Sequence, residues 1–222
     1  MKARPTLACA MVLMMSWSSA LFAADAAPAN PPKSILEISS TATRQPNPEV
    51  SCELKVKERY EYYDINGATV GDLQKQIKEN GTRWNDGKTY AAVTSWDIDY
   101  DYDVLRRDDQ CSIKSVKTDV SIVYHLPRRI SLRSPAELGK TWDNYMAHVK
   151  LHEYGHKDIA VKTAGEINEA LASLGCFKSK KELEKEAKRL IDEKLKEMKS
   201  AQIEYDARTR HGETQGAILA AK

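Results

Sequence analysis

The sequence predicts an α+β protein with a small antiparallel sheet and a short helix, followed by two long helices. Three observations support this fold class. Between about residues 52 and 126, polar and apolar residues alternate with a period of two, as in strands with one buried face. One amphipathic segment of helical period, Asp72–Glu79, interrupts this region. After Pro135, apolar residues recur with a helical period over two long stretches.

Length and charge limit the classes of protein to consider. The chain has 222 residues, enough for one or two domains, with 34 Lys+Arg against 32 Asp+Glu and a formal net charge of +2. This even mixture excludes a strongly basic surface, so we expect no nucleic-acid partner. The longest apolar run lies at the N-terminus and is too short to span a bilayer comfortably. We therefore expect no membrane span once this segment is removed.

Residues 1–26 have the features of a secretory signal peptide. Two basic residues precede an apolar stretch, and small residues suited to cleavage follow it: Lys2 and Arg4, then Leu7–Phe22, then Ala23, Ala24 and Ala26. Residues 27–49 are rich in Ala, Pro, Asn, Ser and Thr, which predicts a flexible leader. The folded domain is expected over residues 50–222, in a periplasmic or secreted protein.

Export also sets an expectation for the cysteines. Cys9 lies in the signal peptide, so the mature chain keeps Cys52, Cys111 and Cys176. Oxidising compartments favour disulfides. Cys52 has the inward parity of the first strand, and Cys111 begins the return from the second. We expect these two to form a disulfide and Cys176 to remain a free thiol.

The strands and the short helix have recognisable ends. Inward-facing residues place the three strands at about 52–62, 94–104 and 120–126. Pro127 is expected to end the third strand, because proline has no N–H to donate to a neighbour. Asn80-Gly81 closes the short helix.

Both long helices carry a marked apolar stripe. The first is expected from about Leu138 to Leu174 and ends at Gly175. Ser179 and Glu182 form a capping box at the start of the second. The stripe of the second helix consists of Leu183, Ala187, Leu190, Ile191, Leu195, Met198 and Tyr205.

Residues 152–156 read His-Glu-Tyr-Gly-His within the first long helix. Helix positions i and i+4 share one face, so His152 and His156 can bind one metal ion together. Paired imidazoles at this spacing are typical of zinc peptidases. Glu153 can reach a zinc-activated water rather than the metal, and we predict that it is the catalytic base. The motif thus predicts a Zn²⁺ cofactor and a zincin-like fold.

The motif does not decide the third ligand. Its longest form needs a histidine at position 162, where this chain has Lys162. The glutamates of the second helix fall opposite its apolar stripe and should face water. Two candidates remain near the C-terminus, Asp206 on the stripe side and His211 at the expected helix end. His148, one turn before the motif, would be a ligand only if His211 is not.

Three segments carry a resemblance to a known family. They are the strand end Leu126-Pro127, the Trp142 helix that leads into His152-Glu153-Tyr154-Gly155-His156, and the C-terminal Tyr205-Asp206, Thr209, His211-Gly212 and Gln215-Gly216. With these, residues 50–216 resemble the bacterial family called domain of unknown function 922, described as predicted secreted zinc-dependent proteases. The resemblance implies His152, His156 and His211 as metal ligands and Glu153 as catalytic. We accordingly expect His211 to be the third ligand, supported by Asp206.

The resulting expectation is an exported zinc metallopeptidase that acts on a peptide or protein substrate, with its oligomeric state left open. Tyr145, Tyr205 and His125 are candidates for stabilising the oxyanion. Two other functions fit the same residues: a catalytically inactive zinc-binding envelope protein and a hydrolase of peptidoglycan peptides. Glu153 favours catalysis, because a structural zinc site needs no base and closes all four positions with protein ligands.

Overall fold

The computed structural model describes residues 9–12, 49–84, 87–130 and 135–220. Most of the predicted signal peptide and leader lies outside these ranges. In chain order the strands are β1 Cys9–Val12, β2 Ser51–Ile65, β3 Thr82–Arg83, β4 Thr89–Tyr90, β5 Val93–Arg107 and β6 Gln110–Arg129, and the helices are α1 Val70–Asn80, α2 Ala136–Ala172, α3 Lys180–Thr209 and a short 3-10 helix, Glu213–Gln215. None of the helices described is long and apolar enough to cross a membrane.

The α+β class and the two long helices are confirmed, but the main sheet is mixed rather than antiparallel. Its spatial order is β1-β5-β6-β2, with β5 antiparallel and β2 parallel to β6. The reason is the position of β6, which forms a hairpin with β5 and lies between β5 and β2 in the sheet. β6 therefore pairs with β2 on its other side, in the parallel direction. An alternating pattern identifies strands without stating their neighbours, so it is equally compatible with either order.

Two features of β6 differ from the sequence-based expectation. It begins at Gln110, directly after a two-residue turn in which Asp108 and Asp109 both have positive φ, 47° and 58°. Such turns match the twist of a hairpin. The strand also continues past Pro127 to Arg129. The pairing with β5 stops at His125. Beyond that point β2 is the only described strand beside β6, and a proline is tolerated there.

The structure contradicts the predicted disulfide. Cys52 pairs with Val116 in the β2–β6 register, and Cys111 lies five positions earlier along β6. Five strand residues cover about 16 Å, whereas disulfide-linked Cα atoms lie within about 7 Å. The backbone of Cys111 instead forms an isolated antiparallel β-bridge with Phe177, in the connection between α2 and α3. The thiols of Cys52, Cys111 and Cys176 are all free.

The long helix α2 covers one face of the sheet, and α3 returns along α2. A large apolar cluster joins the inward residues of β5 and β6 to the first half of α2: Trp96, Ile98, Val120, Ile122, Tyr124, Leu126, Trp142, Tyr145 and Val149. A second cluster joins β6 to the C-terminal end of α2 and the N-terminal part of α3: Ile113, Val116, Ile167, Leu171, Leu183, Ala187 and Ile191. Packing at both ends fixes α2 and α3 against each other and against the sheet.

Candidate metal centre

The motif residues lie on the buried sides of α2. His152, Glu153 and His156 are exposed by only 0%, 1% and 2%. The two histidines point toward α3, while Glu153, about 100° around the helix from His152, points toward β5. One turn of α2 therefore presents two imidazoles to one neighbour and a carboxylate to another.

A stripe of polar residues on α3 faces the two histidines. Its members are spaced i, i+3, i+4 and i+7 and are buried or nearly so: Gln202, Tyr205, Asp206 and Thr209. They continue the apolar stripe that ends at Met198. Residues at this spacing share one helix face, so the same packing that buries Met198 brings Asp206 to the histidines.

A tight turn then leads the chain back over the site. Arg210, His211 and Gly212 all have positive φ, 48°, 54° and 84°. Gly212 has a steric reason to be glycine, because a Cβ there would lie 3.1 Å from Cγ of His152. The turn places Gln215, from the short 3-10 helix, against the His152 ring. Backbone strain of this kind is commonly retained at functional sites.

Three atoms that could bind a metal ion converge at the centre. His152 Nε2 lies 3.2 Å from His156 Nε2, and Asp206 Oδ1 lies 3.2 and 3.1 Å from these two nitrogens. In a tetrahedral zinc site with ligands at about 2.0–2.1 Å, neighbouring ligand atoms are separated by about 3.3 Å. The three residues therefore form a buried group that could hold a metal ion, and nitrogen and carboxylate donors suit zinc.

The structure does not bring every predicted ligand into this group. Asp206 completes it, and His211 lies beside Asp206, with its Nδ1 3.6 Å from Oδ1. That Nδ1 is buried and has no hydrogen-bond partner among the residues described. His211 as a ligand thus remains a prediction. His148 is not a member of the grouped residues either, and its Nδ1 contacts the Asn144 carbonyl oxygen at 2.8 Å.

Charges within the group support one another. Burial alone would raise the pKa of Asp206, but hydrogen bonds from His152 and His156 outweigh it and lower this pKa. Burial likewise lowers the pKa of His156, but Asp206 and Glu153 outweigh it and raise this pKa. Asp206 is therefore held as an anion that attracts positive charge to the site.

Glu153 is held by a residue that the sequence analysis did not single out. Thr94, on β5, donates a hydrogen bond to Glu153 Oε2 at 2.5 Å, while Oε1 has no partner among the described atoms. Burial raises the pKa of Glu153, against the smaller lowering effects of His156 and Thr94. A carboxylate with a raised pKa and one free oxygen is suited to accept and release a proton.

Tyr205 packs directly on the motif. Its ring stacks on His152 with centroids 5.0 Å apart, and its hydroxyl donates to the His152 carbonyl at 3.2 Å. Gly155 makes this possible, because a Cβ there would overlap the Tyr205 hydroxyl and lie 2.8 Å from Cε1. The glycine of the motif is thus explained by the close approach of α3.

The three candidate oxyanion groups occupy different places. Tyr145 is fully buried, and its hydroxyl lacks a partner among the described residues. The Tyr205 hydroxyl is engaged with a backbone carbonyl. His125 contacts Glu61 and Ser95 on the opposite face of the sheet from Tyr124, since neighbours along a strand alternate. His125 is therefore directed away from the metal centre.

Three residues of the site were not predicted from the sequence: Gln202, Gln215 and Thr94. Gln202 had a detectable signal, because it is a polar residue four positions after Met198 and four before Asp206, in line with the apolar stripe of α3. Gln215 belonged to the C-terminal segment of the family resemblance but had no assigned role. Thr94 lacked any local signal, since only the packing of β5 on α2 brings it to Glu153.

Comparison with known proteins gives one match. Residues 60–212 match the family described as "Bacterial protein of unknown function (DUF922)". This range holds every residue of the metal centre except Gln215. No curated protein and no solved structure matches the chain.

Proposed function

This chain belongs to the DUF922 family of bacterial proteins, and we propose that it is an exported zinc-dependent peptidase. One observation carries the proposal: Glu153 adjoins the buried group of His152, His156 and Asp206. A purely structural metal site has no need of a carboxylate base in that position. The signal-like N-terminus supports export to the periplasm or beyond.

In this proposal the three grouped residues hold the ion. Zinc, when bound, supplies Lewis acidity that polarises a scissile carbonyl and lowers the pKa of a water molecule to about 7. Glu153 takes the proton of the attacking water on its free Oε1 and transfers it to the leaving amine as the C–N bond breaks. Thr94 keeps Oε2 in place during both transfers.

For the third ligand the geometry supports Asp206 better than His211. Asp206 Oδ1 is within 3.2 Å of both histidine Nε2 atoms, whereas His211 reaches the group only through Asp206. We propose that His211 is a neighbour of the ligand set that contacts Asp206. This reverses the roles expected from the sequence.

The test combines metal analysis with a cleavage assay on the purified protein. About one zinc per chain is expected. Glu153→Gln should keep the zinc and the fold but lose cleavage by several orders of magnitude, because only the base is removed. Glu137→Gln, an exposed carboxylate on the same helix, is the matched control. Cleavage by Glu153→Gln at the rate of the parent would refute the mechanism.

The substrate panel should contain both general peptide libraries and peptidoglycan stem peptides, because the site does not distinguish these classes of peptide. Fractionation of cells that express the full chain tests export, with recovery in the cytoplasm alone as the contrary outcome. Cleavage confined to stem peptides would identify an envelope hydrolase.

The burial of the site supports a second candidate, a zinc-binding envelope protein without turnover. Both histidines and Glu153 are almost wholly inaccessible to solvent, and a substrate must reach Glu153 to be cleaved. Stoichiometric zinc with no cleavage of any panel member would favour this candidate. Parallel loss of stability on zinc removal would then indicate a structural role for the metal.

A further inference from the structure

Each histidine of the centre has a glutamine at its outer ring nitrogen. Gln202 Oε1 lies 2.5 Å from His156 Nδ1, and Gln215 Oε1 lies 2.8 Å from His152 Nδ1. We infer that Gln202 and Gln215 are positioning residues that keep a proton on both Nδ1 atoms and so direct both Nε2 atoms to the metal. The inference rests on the proposed function only for the statement that the centre binds a metal ion.

The direction of the Gln202 amide follows from a backbone carbonyl. Gln202 Nε2 lies 3.0 Å from the carbonyl oxygen of His156, which can only accept a hydrogen bond. The NH₂ group must therefore face this carbonyl, and Oε1 must face the ring. Because Oε1 can only accept, His156 Nδ1 must carry the proton. The tautomer is thus assigned from the hydrogen-bond network.

The direction of the Gln215 amide follows from the Tyr205 hydroxyl. The Tyr205 hydroxyl has two acceptors in reach, the carbonyl of His152 at 3.2 Å and Gln215 Oε1 at 3.4 Å. We assign its proton to the nearer one, the His152 carbonyl, so that the hydroxyl accepts from Gln215 Nε2 at 3.1 Å. Gln215 Oε1 then faces His152 Nδ1, which must donate. Thr209 agrees, because its hydroxyl donates to the Tyr205 carbonyl at 2.8 Å and can only accept from Nδ1 at 3.4 Å.

These assignments leave three acceptors facing one another at the centre. With both Nδ1 atoms protonated, the neutral rings of His152 and His156 present lone pairs at Nε2 toward Asp206 Oδ1, at 3.1–3.2 Å. Such an arrangement is repulsive unless a cation or protons lie between the atoms. Both glutamines are neutral, so they orient the rings without adding negative charge to the ion's surroundings.

Nitrogen-15 NMR of histidine-labelled protein tests the tautomers directly. We expect Nδ1 of His152 and His156 to remain protonated both without metal and with one equivalent of zinc. Only the Nε2 signals should change when zinc is added. Loss of the Nδ1 proton from either ring on zinc addition would overturn the inference. If zinc does not bind, the proposed function fails. The inference about the tautomers is still tested, because the Nδ1 protons are measured on the metal-free protein.

Zinc affinity, measured by competition with a chelating dye, tests the positioning role. Gln202→Leu and Gln215→Leu should each weaken zinc binding by about 10–100-fold, the usual cost of removing a partner of a liganding histidine. Gln74→Leu is the matched control, since Gln74 also donates to a carbonyl, that of Leu219 at 2.7 Å, but lies on α1 away from the centre. Parent-like affinity in both site variants would contradict the inference.

Two glutamate variants keep the test decisive if a leucine variant does not fold. Gln215→Glu should retain zinc affinity, because the Tyr205 hydroxyl can rotate and donate to the new oxygen. Gln202→Glu should bind zinc more weakly than Gln215→Glu, because its second oxygen would face the His156 carbonyl, which cannot donate. Equal affinities of the two variants would show that the amide directions are assigned incorrectly.

Discussion

At the scale of single residues, the centre depends on contacts between α2 and a stripe of α3. The shared helix face of His152 and His156 follows from their spacing of four residues. Their hydrogen-bond partners depend on how α3 packs against α2. The clearest example is the third ligand, which was expected from the sequence to be His211 with Asp206 supporting it. Packing places Asp206 within 3.2 Å of both rings, and this distance leads to a specific expectation.

Asp206→Ala should lose zinc far more readily than His211→Ala. Removing a ligand of a three-residue set should cost more than the ~10–100-fold typical of a supporting residue, and only Asp206 belongs to the grouped donors. Zinc content after dialysis of both variants against the same chelator checks this. A metal-free His211→Ala with a normally loaded Asp206→Ala would restore His211 as the third ligand.

Gly155 provides a second prediction at this scale. Gly155→Ala should destabilise the fold by about 1–3 kcal/mol, the usual cost of overpacking, because the new Cβ would displace Tyr205. Gly165→Ala on the same helix is the control: its Cβ would meet none of the described atoms within 4 Å, so it should stabilise by about 0.5–1 kcal/mol. Urea unfolding measures both, and similar effects of the two variants would contradict the packing argument.

At the scale of elements, the start of α3 was predictable from the local sequence, whereas α2 ends at Ala172 and not at Gly175 as expected. Ser179 caps α3, and its hydroxyl accepts from Glu182 N at 3.2 Å, which is one of the two hydrogen bonds of the expected capping box. The three expected strands fall within β2, β5 and β6, but β6 is longer than expected and the sheet is mixed rather than antiparallel. Cap chemistry is local, within four residues, whereas strand pairing depends on residues that are distant in sequence.

The short helix α1 has a complete capping box, which predicts a dependence of stability on pH. Asp72 accepts from Ala68 N, at 3.1 Å, and from Thr69 N, at 3.0 Å, and Thr69 accepts from Asp72 N. The hydrogen bond from Thr69 and these backbone donors lower the pKa of Asp72 from its ordinary 3.8.

Because the folded pKa is the lower one, the Asp72 carboxylate contributes stability above pH 3.8, and this contribution is lost as the pH falls through the folded pKa. Asp72→Asn should therefore be less stable than the parent near neutral pH, and the difference should shrink in acid. Thermal unfolding across this range is the measurement. A difference that persists or grows in acid would exclude the capping carboxylate as its origin.

At the scale of the whole molecule, stability comes from two clusters that join the sheet and both long helices, without a disulfide among the described cysteines. Cys52, Cys111 and Cys176 should all react with a thiol reagent after denaturation in the absence of reductant. The unfolding midpoint should not change on adding reductant. A disulfide-linked peptide containing Cys52 and Cys111 would mean that β2 and β6 pair in another register.

The sequence by itself determined the α+β class, the positions of the long helices and the presence of the two histidines and Glu153 on one helical turn. These features depend on periodicity and spacing within a single element. Only the tertiary structure decided the parallel pairing of β2 with β6, the separation of Cys52 from Cys111, and the contacts of Asp206, Gln202, Gln215 and Thr94 with the motif. These join residues about 50 or more positions apart in sequence, and no local pattern specifies which of several compatible faces will meet.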